Sequence, residues 1–98
     1  MWYWLVARAK PHATPQTIAA KRYQWITQGK DQELSTRCRS AQRYVVEQRS
    51  PPTVFWLLEA DDSHVVSLIT DHFGDLWDIE IHRVAPQAIS QVVRREPS

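Results

Sequence analysis

Apolar positions along the chain follow two spacings. In four short runs they recur at period two or fill both parities, and in two longer runs they recur at helical spacing. Trp2 to Ala9 carries Trp2, Trp4 and Val6 on one parity and Tyr3, Leu5 and Ala7 on the other, before Lys10-Pro11 closes the run. Apolar side chains on both parities predict a strand covered on both faces, hence a central one. Residues 54–60 read the same way, with Val54, Trp56 and Leu58 against Phe55 and Leu57. Residues 43–49 predict a strand with one polar face, Tyr44 and Val46 opposing Val45 and Glu47, broken by Ser50-Pro51-Pro52. Residues 77–84 alternate cleanly, with Trp77, Ile79 and Ile81 inward and Asp78, Glu80 and His82 outward.

Thr14-Pro15 supplies an N-cap and a first-turn proline for a helix over 15–28, and Gly29 a C-terminal stop. At 100° per residue Ile18, Ala19, Trp25 and Ile26 share a side, with Tyr23 at its edge. Arg22 sits in the middle of that arc. Either its stem packs while the guanidinium reaches water, or it meets an anion or carboxylate at the sheet edge. A second helix is predicted over 62–73, opened by Asp61-Asp62-Ser63, with Val65, Val66, Ile69 and Phe73 as its buried stripe and Gly74 as its end. Residues 30–42 carry opposing signals. Leu34, Cys38 and Ala41 with a Glu33–Arg37 pair suit a helix, whereas Ser35, Thr36 and Ser40 suit a loop. A loop containing a helical turn is expected there. Residues 86–98 form a C-terminal extension, with a turn over 88–93 packing back and the last residues frayed.

The resulting order is βαββαβ, a single α+β domain over residues 1–98. Central strands 1 and 3 and edge strands 2 and 4 give the antiparallel order 4-1-3-2 under right-handed crossovers. Two helices cover only one face of such a sheet. The apolar residues on the other parity, and five tryptophans in 98 residues, therefore predict a homodimer joined sheet to sheet. Trp4, Val6 and Trp56 are the expected contributors.

Composition and charge narrow the function only by exclusion. A net charge of +1 gives no push toward nucleic acid, although residues 1–52 hold nine Lys/Arg against three Asp/Glu and residues 53–98 three against eight. One cysteine, Cys38, makes neither an internal disulfide nor a zinc cluster. No run approaches the ~20 apolar residues of a membrane helix, and the N-terminus lacks a signal-peptide pattern. A cytoplasmic protein is expected, with no metal and no cofactor.

The run Phe55-Trp56-Leu57-Leu58-Glu59-Ala60-Asp61-Asp62, the run Phe73-Gly74-Asp75-Leu76-Trp77-Asp78-Ile79-Glu80-Ile81 and the first strand Trp2-Tyr3-Trp4-Leu5-Val6 resemble a small family of unknown function. That family belongs to the dimeric α/β-barrel superfamily, whose subunits are ferredoxin-like. The resemblance spans 1–86 in outline and is sharp over 55–82. It implies a barrel-forming homodimer in a superfamily of cofactor-free monooxygenases, haem-degrading enzymes, lactone isomerases and proteins without known chemistry. Haem-degrading members use an asparagine on the first strand, a tryptophan on the third and a histidine on the second helix. Trp56 and His64 or His72 match the last two. This chain has no asparagine, so the resemblance does not extend to haem breakdown of that kind.

Two functions are therefore expected as alternatives. In one, the protein is a non-catalytic accessory protein that docks an acidic protein partner through Arg37, Arg39, Arg43 and Arg49. In the other, it is a small-ligand-binding protein or a cofactor-free enzyme of monooxygenase or isomerase type. A small apolar or aromatic molecule would then sit in the barrel, oriented by Arg8, Trp56, Glu80 and His82. Glu80 and His82 share a strand face, and antiparallel pairing brings Arg8 near them. No catalytic motif chooses between these classes.

Overall fold

The computed structural model describes residues 1–87 and 89. Four strands, β1 (Trp2–Ala9), β2 (Ser40–Val45), β3 (Thr53–Glu59) and β4 (Trp77–Val84), form one antiparallel sheet in the order β2-β3-β1-β4. This is the expected 4-1-3-2 order and the expected ferredoxin-like path. Three helices, α1 (Pro15–Thr27), α2 (Lys30–Arg37) and α3 (Val65–Phe73), pack on one face.

The register assigns every strand residue to a face. Leu5 pairs with Trp56 and Ile81, so Tyr3, Leu5, Ala7, Val54, Trp56, Leu58, Trp77 and Ile79 point toward the helices. From the helices, Trp25, Leu34, Val65, Ile69 and Phe73 close that core. Burying a side chain of this size stabilises the fold by roughly 1.5–3 kcal/mol. The opposite face carries Trp4, Val6, Phe55 and Leu57, and no described element covers it.

Local chemistry explains most helix boundaries. Thr14 and Thr17 form a reciprocal cap: each hydroxyl oxygen accepts the other residue's backbone N–H, at 3.1 and 2.8 Å. Gly29 lies at φ +73, the left-handed region in which glycine is unstrained, and turns the chain from α1 into α2. His72 ties the helices together. Its Nε2–H donates to the Lys21 carbonyl at 2.8 Å, and its Nδ1 accepts from the Lys30 ammonium at 3.0 Å. A carbonyl can only accept and an ammonium only donate, which sets the tautomer.

Several expectations are corrected. Residues 30–37 are a full helix rather than a loop with a turn. Thr36 Oγ1 donates to the Gln32 carbonyl at 2.8 Å, so its hydroxyl is satisfied within the helix instead of breaking it. Leu34 is buried, and Arg37 pairs with Glu33 at 3.4 Å. The second strand runs over 40–45 rather than 43–49. It is held in place by β3 from Glu59 to Val54, and the chain leaves the ladder before Gln48, at φ 55, turns it. The last helix begins at Val65, because Asp62 bends the chain first, its Oδ1 accepting the His64 N–H at 2.9 Å. Ile26 and Tyr23 are 52% and 69% exposed, so α1 packs through Trp25 rather than along its whole apolar arc. The expected turn over 88–93 falls outside the described residues apart from Ile89.

Candidate functional site

Two surfaces combine apolar walls with convergent polar groups. The first is the uncovered sheet face. The Trp4 ring lies 5.1 Å from Phe55 and 6.3 Å from Tyr44, centroid to centroid. In register, Trp4 faces Leu57 and His82, and Val6 faces Phe55 and Glu80. Beside this patch Arg8 Nη1 lies 3.5 Å from Glu80 Oε1, and His82 Nε2 lies 3.4 Å from Glu80 Oε2. The sheet thus brings Arg8, Glu80 and His82 together in one exposed row. Trp56 does not join them. It pairs with Leu5, one position out of phase with Trp4, and its ring packs 5.7 Å from Phe73 in the helix-side core. Its expected places at the dimer face and beside that row are both corrected by this register.

The second surface is a cleft between the first half of α1 and the inner face of β2. Trp25, near the C-terminal end of α1, is its buried residue, while Ile18 in the N-terminal half is only partly buried against the core. Three adjoining recesses make up the cleft. A hollow of about 580 Å³ is lined by Ala13, Pro15, Ile18, Ala19, Arg22, Arg43 and Pro52. Next to it, about 350 Å³ lies against Ile18, Val45, Val54, Trp77, Arg43 and Arg49. A smaller recess of about 140 Å³ is bordered by Arg22, Asp31, Leu34, Arg43 and Trp56. Arg43 borders all three.

The electrostatics of this cleft are one-sided. Arg22, Arg43 and Arg49 line it, with Asp31 as the carboxylate. Asp31 Oδ1 accepts the Trp25 indole N–H at 2.8 Å and lies 4.0 Å from Arg22 Nη1. Among the described residues Arg43 makes no hydrogen bond or ion pair through its side chain. Loss of water around its guanidinium pushes the Arg43 pKa down, the neighbouring Arg22 charge adds to this, and Asp31 opposes it. Arg43 stays charged at neutral pH.

The four arginines expected to form one docking surface separate into two pairs. Arg43 and Arg49 border the cleft, whereas Arg37 and Arg39 lie at the α2–β2 turn. Arg37 Nη2 meets Asp62 Oδ2 at 2.7 Å and Arg39 Nη2 meets Asp61 Oδ2 at 2.7 Å. Carboxylates of the chain itself thus already pair the second set. The Arg37 pKa is raised chiefly by its hydrogen bond to Asp62. Asp62 is lowered to about 2, first by the His64 backbone N–H, then by Arg37. Burial pushes the Cys38 thiol up, against the pull of Arg37. Among the described residues no three His, Cys, Asp or Glu side chains gather to hold a metal, and no helix is long and apolar enough to cross a membrane.

Sequence reasoning missed the cleft and the role of His72. Arg22 within an apolar arc was the one legible sign of the cleft. A histidine at the edge of the α3 stripe did not show that α1 and α2 would both reach it.

No family model and no curated protein matches the sequence. Solved structures do match. A 5-chloro-2-hydroxyhydroquinone dehydrochlorinase from Burkholderia phenoliruptrix, in complex with 2,5-dihydroxybenzoquinone, superposes with a TM-score of 0.55 at 11% identity. The match covers 87% of this chain and 94% of that one. A protein from Arabidopsis thaliana gives 0.53 at 13% identity, and a proposed antibiotic biosynthesis monooxygenase from Deinococcus radiodurans 0.53 at 10%. Each covers 90% of this chain and 96% of its own. These matches show the fold, a ferredoxin-like antiparallel sheet with its helices on one face. At these identities the likeness concerns architecture, and activity rests on the site.

Proposed function

We propose that the chain works as a homodimer and binds a small apolar or aromatic molecule, as a ligand-binding protein or a cofactor-free enzyme of monooxygenase or isomerase type. The observation that carries this reading is the α1–β2 cleft. Its main hollow of about 580 Å³ falls in the range of roughly 300–1,000 Å³ typical of small-molecule sites. Its walls are apolar, and its few polar groups converge from two elements. A quinone bound to the dehydrochlorinase supports the idea that this architecture can take a small ring. Dimerisation through Trp4, Val6, Phe55 and Leu57 would cover the apolar face and leave the cleft open on the other side of the sheet. The lone thiol of Cys38 suits a reducing, cytoplasmic setting. Docking of an acidic protein is not carried forward, because Arg37 and Arg39 are already paired within the chain.

The row Arg8–Glu80–His82 favours a second reading, in which the ligand lies inside the barrel enclosed by two sheets. Hydrogen exchange with and without a bound phenol or quinone separates the two. Protection concentrated in residues 15–25 and 41–54 supports the cleft. Protection of residues 2–9 and 77–84, with the cleft segments unchanged, would move the site to the barrel.

A further inference from the structure

We infer that the ligand of the α1–β2 cleft is an anion, an apolar body bearing one carboxylate that lies between Arg22 and Arg43. This deepens the proposed function and rests on it. The apolar part of the cleft, with Ala13, Pro15, Ile18 and Pro52, would hold an aromatic or aliphatic body but would not by itself select a charge. The two guanidiniums do. They border the same two recesses, the large one and the small one, so their like charges face a common space.

The chain supplies little to neutralise them. Asp31 stands at 4.0 Å from Arg22, the outer limit of an ion pair, and the same oxygen already accepts the Trp25 indole N–H. Arg43 has no carboxylate partner among the described residues. Arg37 and Arg39, by contrast, are each held by a carboxylate at 2.7 Å. A bound carboxylate would relieve the repulsion between Arg22 and Arg43 and accept the paired N–H groups of a guanidinium fork. A neutral ligand of the same shape would leave both charges unanswered in a partly desolvated space, which disfavours it.

The test compares 2-naphthoate with its neutral isostere 2-naphthamide by titration calorimetry on the full chain. Wild type is set against Arg43→Gln and the double variant Arg22→Gln/Arg43→Gln. Wild type should bind naphthoate roughly ten- to hundredfold more tightly than naphthamide, the range expected for charge-assisted hydrogen bonds. The preference should shrink in the single variant and vanish in the double one, as naphthoate affinity falls and the penalty on naphthamide is relieved. Arg43 has no carboxylate partner among the described residues and Asp31 keeps the Trp25 indole N–H when Arg22 is replaced, so the variants should keep their melting temperature. If the double variant does not fold, Arg43→Gln alone carries the comparison. Equal affinity of wild type for both probes would overturn the inference and leave the cleft reading standing. A preference that survives in Arg43→Gln and the double variant would also overturn it, since the anion would then be held elsewhere. Binding of neither probe would remove both readings.

Discussion

Replacing His72 with alanine tests the helical layer that shapes the cleft. His72 is 5% exposed, its ring 4.7 Å from Phe73 and 5.4 Å from Trp25, with bonds to Lys21 and Lys30. Truncation removes a ring from a close-packed site and leaves a cavity, whose cost alone is about 2–3 kcal/mol by analogy with large-to-small core changes. The Lys21 carbonyl lies inside α1 and keeps its helical partner, so losing the imidazole there adds little. Lys30 loses its acceptor while half-buried, adding roughly 1 kcal/mol. The total of about 3–4 kcal/mol corresponds to a fall in Tm of roughly 12–30 °C for a domain of this size. Thermal unfolding followed by circular dichroism at pH 7.5 measures it. His72→Gln, which can keep one of the two bonds, should lose less than alanine. A fall below about 4 °C for alanine, the shift expected from 1 kcal/mol or less, would refute the assignment of His72 as the tie between α1, α2 and α3.

Three further outcomes are expected. Asp62 has a folded pKa of about 2 against an unfolded value near 4, so its stabilising contribution is complete above about pH 4 and lost as pH falls through 2. Asp62→Asn should therefore flatten the acid limb of stability between those values, as read by urea midpoints at each pH. The Cys38 thiol, pushed up by burial, should react with iodoacetamide at pH 7.5 more slowly than a small free thiol, and urea unfolding should abolish the difference. Leu57→Glu places a charge at the centre of the uncovered face and should give monomers in sedimentation velocity without loss of helical circular dichroism.

How far the fold was legible depended on how each segment earns its place. The alternation of Trp77 to Val84 and the double-sided apolarity of Trp2 to Ala9 marked strand type and position in the sheet, although Ile81, expected inward, is 48% exposed on this edge strand. The same double-sidedness hid the parity of β3. With Phe55 and Leu57 as apolar as Trp56 and Leu58, only pairing with β1 decides which set meets the helices. The segment Ser40-Ala41-Gln42-Arg43 belongs to an edge strand with little to bury, so it carried no period and its start was missed. Residues 30–37 were obscured by Ser35 and Thr36, whose loop preference is overridden once Leu34 is buried and Glu33 meets Arg37. Arg8, Glu80 and His82 were legible as a row because period two and antiparallel pairing suffice to bring them together. The cleft depends on how α1 sits against β2, which brings Arg22 and Arg43 to the same recesses, a tertiary relation that no local pattern encodes.

The central claim, a homodimer that holds small molecules, is met most directly by native mass spectrometry of freshly purified full-length protein offered a panel of phenols, quinones and aromatic carboxylates. The account predicts a species of twice the 11.5 kDa chain mass, carrying up to one added ligand per chain. A species at the monomer mass alone, or a dimer that stays empty across the panel, would contradict it.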